Sequence, residues 1–110
     1  MDTPYKAVEY IIAKAPAFAK AKADRIYLEE FRKSKKALLM KDALLNGIEA
    51  ANAQEREAYA DPEYQSLLKG LAQAIEAEET LKWMLEAARM KTDIWRTEQA
   101  NIRLEVKATV

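Results

Sequence analysis

The stretch from Asp61 to Val110 restricts what this chain can fold into more than any other. Asp61-Pro62-Glu63 reads as a helix start, with a carboxylate at the cap, proline at the first helical position and an acid in the first turn. No proline follows, and only Gly70 interrupts the run. Apolar or small side chains then recur at alternating steps of four and three: Leu67, Leu71, Ala74, Glu78, Leu81, Leu85, Ala88, Thr92, Trp95, Gln99, Ile102 and Val106. This is a heptad seam. At a rise of ~1.5 Å per residue it predicts a helix on the order of 70 Å long, and its apolar stripe needs a cover from the rest of the chain or from a second molecule.

The rest of the chain is also helical in character. It is rich in alanine, with 2 Gly and 3 Pro in 110 residues. Thr3-Pro4 can cap a short helix over 4–14 that carries Tyr5, Val8, Ile11 and Ile12, and Pro16 disfavours helical geometry at Ala15. A second helix over 16–45 ends at Asn46-Gly47, where glycine supplies the left-handed residue of a helix terminus. Its aligned row is Tyr27, Phe31, Leu38 and Leu45, with Ser34 and Lys41 filling the gaps. Residues 48–60 read as a bend with a short helix, Asn52 being a candidate cap, and the long helix occupies 62–108. The expected fold is a single all-α domain: an elongated antiparallel hairpin with a very long C-terminal helix and a short N-terminal one. Helix one, through Tyr5, Val8, Ile11 and Ile12, or else a second copy, would cover the end of the long helix.

The net charge of zero hides a block pattern. Residues 1–41 hold ten Lys/Arg against five Asp/Glu, residues 42–79 two against nine, and residues 80–110 six against four. Unlike blocks in this order favour a folded-back chain. If Leu45 lies near Glu63, equal distances from the bend place Arg32, Lys33, Lys35 and Lys36 beside residues 73–79, where Glu76, Glu78 and Glu79 sit. Together with Lys20, Lys22 and Arg25, the same basic run is also a candidate face for nucleic acid or an acidic partner. The competing reading is a solvated helix face neutralised by the acidic block.

Enzymatic chemistry finds little purchase. There is no cysteine and no histidine, which removes disulfides, thiolate metal sites and Ser/His or Cys/His nucleophile pairs. Helical Mg²⁺ hydrolases need two helix-borne pairs of acids at i, i+3. Glu76 and Glu79 make one, but Glu86 is followed three residues later by Arg89 and Glu29 by Arg32. Ferritin-like sites require Glu-x-x-His. The expectation is a non-enzyme with no metal and no cofactor. No apolar run of about 18 residues and no basic-then-apolar leader pattern is present, which points to a cytoplasmic protein without a membrane partner. Trp83 falls off the seam and is either a partner contact or a side chain that closes the edge of a three-helix core. Trp95, Ile102 and Val106 lie on the seam beyond the reach of the returning helix, and are candidates for self-association as a homodimer.

The segments Tyr27-Leu28-Glu29-Glu30-Phe31-Arg32-Lys33-Ser34-Lys35-Lys36-Ala37-Leu38-Leu39-Met40 and Ala53-Gln54-Glu55-Arg56-Glu57-Ala58-Tyr59-Ala60-Asp61-Pro62-Glu63-Tyr64 resemble small all-helical proteins encoded in the early regions of tailed bacteriophages and prophages, near DNA recombination genes. The resemblance implies a bacterial host cell and a connection to phage DNA recombination or replication; the expected role is a non-enzymatic accessory that acts through protein contacts, with the basic face of the second helix as a candidate DNA contact. The alternative it leaves open is an inhibitor of a host defence nuclease or CRISPR effector. It carries no site residues with it.

Overall fold

A computed structural model describes residues 4–109, and among these every regular element is helical: α1 (Pro4–Leu45), α2 (Ala51–Ala60) and α3 (Pro62–Thr109). They divide into two compact units, residues 20–78 and residues 4–19 with 79–109. The Thr3 cap lies outside the described residues.

The expected break at Pro16 is absent, and helices 4–14 and 16–45 are one helix of 42 residues with Pro16 inside it. Proline forfeits one backbone hydrogen bond and crowds the carbonyl four residues back. Here that carbonyl belongs to Ile12, and Ile12 and Pro16 are both exposed, so water can take the freed acceptor. Alanines at 13, 15, 17 and 19 favour helix on both sides, while half-buried Ile11 and Phe18 hold the two flanks in place. Near the N-terminus the inward side is Ala7, Tyr10 and Ile11, and Tyr5, Val8 and Ile12 of the expected covering stripe face outward.

The ends of the elements follow the local chemistry. Gly47, at φ +94°, terminates α1. The cap of α2 is Ala50, with no side-chain hydrogen bond, and Asn52 lies inside the helix. Gln54 reaches back instead, its Nε2 donating to the Ile48 and Glu49 carbonyls at 2.9 and 3.2 Å. Asp61, in extended conformation, is the single residue between α2 and α3, and its Oδ1 accepts from the Glu63 N–H at 2.8 Å, as the Asp-Pro-Glu signature predicts.

Along α3 the seam is in the expected phase through Gln99. Leu71, Glu78 and Ala88 are buried, and Leu67, Ala74, Leu81, Leu85, Thr92, Trp95 and Gln99 are half-buried. Residues 101–109 are all exposed, Ile102 and Val106 among them. On α1 the phase is not the expected one. The inward row of residues 20–45 is Ala21, Arg25, Leu28, Arg32, Lys35, Leu39 and Ala43, whereas Tyr27 (65% exposed), Phe31, Leu38 (55%) and Leu45 (74%) face away from it.

The register also differs. Lys35 pairs with Glu63 and Arg25 with Glu78, so within residues 20–78 α1 and α3 run antiparallel, but the match that sets Leu45 beside Glu63 is displaced, by ten residues at Lys35–Glu63 and by five at Arg25–Glu78. The reason is α2. At ~1.5 Å per residue its ten residues cover about 15 Å, laid back along α1, so that Glu55 meets Lys36 and α3 begins beside Lys35. Ala58, 0% exposed, is the fully buried residue of α2, and Tyr64 is buried just beyond the joint with its ring 5.5 Å from that of Tyr59.

Candidate functional site

The basic run of α1 can be followed residue by residue. Arg25, inward and half-buried, forms a two-pronged pair with Glu78: Nε donates to Oε2 and Nη2 to Oε1, the latter at 3.2 Å, while Nη1 donates to Glu29 at 3.0 Å. Glu78 foremost, and then Glu29, hold the guanidinium above its ordinary value. Lys35 donates to Glu63, which likewise raises its ammonium pKa. Lys36 donates to Glu55 at 2.8 Å and lies 4.8 Å above the Tyr59 ring, and the Tyr59 hydroxyl donates to the same carboxylate at 3.0 Å. That cluster raises Lys36 and lowers Glu55, each chiefly through the other.

Lys20 and Lys33 make exposed pairs within α1, with Asp24 at 3.1 Å and Glu30 at 3.2 Å. Only Lys22 and Arg32 of the candidate face have no carboxylate partner among the described residues. The seven cations therefore do not form one open stripe. Arg25, Arg32, Lys35 and Lys36 lean inward, where long stems can cover apolar surface while the charged heads meet carboxylates. Arg32, Lys33 and Lys36 line a cavity of about 180 Å³ together with Tyr59 and Tyr64.

The partners differ from the expected ones: the run meets Glu63 and Glu55, not Glu76 and Glu79. Glu76 and Glu79 are exposed, and Glu79 accepts from the Trp83 indole N–H at 3.2 Å. Among the described residues no group of three or more Asp or Glu side chains could hold a metal ion, and no helix is long and apolar enough to cross a membrane.

The candidate self-association set is divided. Trp95 is half-buried on the inner seam, while Ile102 and Val106 are exposed. Trp83 is 64% exposed and does not close the edge of a core. The feature missed in the sequence is the outward row of α1, where the Tyr27 and Phe31 rings stack with centroids 5.9 Å apart and planes 6° from parallel. A signal for it existed. Glu78 on the α3 seam calls for an inward cation on α1, and Arg25, between Ala21 and Leu28 at heptad spacing, fixes the inward phase and turns Tyr27 and Phe31 outward.

Comparison with protein-family models, curated proteins and solved structures finds no match to this chain.

Proposed function

We propose that this chain is a non-enzymatic accessory of phage DNA recombination or replication that works mainly through protein contacts. One observation carries the weight given to protein over DNA. Arg25, Lys35 and Lys36, which would anchor a phosphate-binding face, are paired with Glu78, Glu63 and Glu55 of the same chain. Large apolar side chains are meanwhile left facing outward, Ile102, Leu104 and Val106 near the end of α3 among them. Counterion release, the main drive for binding a phosphate backbone, needs cations free to meet phosphates. The phage setting rests on the resemblance of residues 27–40 and 53–64.

The test is capture by the immobilised chain from an infected-cell lysate, followed by reconstitution with purified proteins. Recovery and direct binding of a single-strand annealing or single-strand binding protein supports the proposal, and recovery of a host nuclease effector transfers it to the inhibitor reading. DNA binding is measured across a salt series beside a variant with Arg32, Lys33, Lys35 and Lys36 replaced by Gln. Tight wild-type binding with a steep salt slope that the variant loses would overturn the protein-contact emphasis.

A further inference from the structure

Tyr27, Phe31, Ser34, Leu38, Lys41 and Leu45 form a second heptad row on α1, spaced alternately by four and three and directed away from the interior of the 20–78 unit. Every one of them is exposed. One step upstream the row continues to Asp24, also exposed. A row with this spacing is the seam of a coiled coil that lacks its second strand, and an exposed apolar ridge of this kind is a contact surface.

Its two charged members, Asp24 and Lys41, identify the occupant. In a parallel pairing with a second copy each seam residue faces its own counterpart, which sets Lys41 against Lys41 and Asp24 against Asp24. In an antiparallel pairing the two classes of seam position face each other. One such register sets Asp24 against Lys41 of the other copy, Tyr27 against Leu38 and Phe31 against Ser34, and two-fold symmetry makes each contact twice. Opposite charges then meet at both ends of an apolar centre, and the large aromatic Phe31 lies against the small Ser34. The register one heptad further along leaves Asp24 opposite nothing on the row. The pair that Asp24 now makes with Lys20 is between exposed groups four residues apart and is readily exchanged for one across an interface.

We infer that the outward row of α1 is a homodimer interface, antiparallel, with its register fixed by Asp24 of each copy meeting Lys41 of the other. The interface is separate from the exposed end of α3. Sedimentation equilibrium of the full chain over a concentration series tests it. Wild type should reach dimer, and Phe31→Glu/Leu38→Glu should stay monomeric with unchanged far-ultraviolet dichroism. Asp24→Lys and Lys41→Asp should each weaken dimerisation by about tenfold, and the double reversal should restore it.

The chain has no cysteine, so disulfide trapping is free of background. Asp24→Cys/Lys41→Cys should cross-link into dimers, while Leu45→Cys alone should not. A wild type that remains monomeric overturns the inference, as does a dimer indifferent to Phe31→Glu/Leu38→Glu. Loss on single reversal without restoration in the double variant removes the register, and a Leu45→Cys disulfide would replace it with the parallel arrangement.

Discussion

Replacing Pro16 by alanine should make the protein more stable, by an amount that follows from its place in α1. Proline in a helix interior is about 3 kcal/mol worse than alanine. Part of this is returned because proline also restricts the unfolded chain, by about 0.5–1 kcal/mol. Pro16 and its neighbours Ala15 and Ala17 are exposed, so the exchange costs no burial and the new N–H can donate to the Ile12 carbonyl. The net gain is about 2–2.5 kcal/mol, which at about 3–6 °C per kcal/mol for a chain of this length is a rise in Tm of roughly 6–15 °C. Thermal melts followed at 222 nm, with urea titrations alongside, measure it. An unchanged or lower Tm would refute the reasoning, because it would mean that the backbone at Pro16 is not helical in solution or that the turn built by proline is itself stabilising.

The two glycines should respond in opposite directions: Gly70→Ala should stabilise by about 0.5–1 kcal/mol, since a Cβ there meets nothing within 4 Å, and Gly47→Ala should destabilise by about 1 kcal/mol or more because of its φ of +94°; urea midpoints of both variants check this. Leu71→Asp places a charge at a buried position of α3 and should cost about 3–5 kcal/mol, visible as loss of the cooperative melt, whereas Ile102→Glu, at an exposed position, should leave the melt unchanged. The Glu55 carboxyl is held low, chiefly by Lys36. Its folded pKa lies below its unfolded one, so its contribution is present above the unfolded value and lost as pH falls through the folded value. The gap in urea midpoint between wild type and Glu55→Gln should therefore shrink from about pH 6 toward pH 3, and a gap independent of pH would show that the pair is not formed.

The sequence made some of these features legible and hid others, for identifiable reasons. The α3 seam could be read because most of its large apolar residues, Leu67, Leu71, Leu81, Leu85 and Trp95, are also ones that turn inward. The same logic fails on α1. Its stacked aromatics Tyr27 and Phe31 face outward with Leu38 and Leu45, and the inward row mixes Leu28 and Leu39 with Ala21, Ala43 and the stems of Arg25, Arg32 and Lys35. Ranking by hydrophobicity selects the wrong stripe when long cations line the inside. The Asp61 cap and the Gly47 terminus were legible because each depends on one or two residues. The register was not, because it depends on where α2 lies, and nothing in residues 48–60 announces that the segment turns back along α1. Pro16 does not end the helix because its steric bias against helical geometry at Ala15 is local, and the alanines on both sides favour helix enough to outweigh it.

The joint at Asp61 gives α2 the part of a ruler. With one residue between α2 and α3, there is no slack in which a change of length could be absorbed. Each residue added to or removed from α2 would slide the start of α3 by ~1.5 Å and turn it by about 100°, which would carry Glu63 away from Lys35 and Glu78 away from Arg25. Variation in length should therefore be tolerated in the non-helical residues 48–50 and not in 51–60. A ten-residue helix with one fully buried alanine thus measures out which charges of the chain can meet.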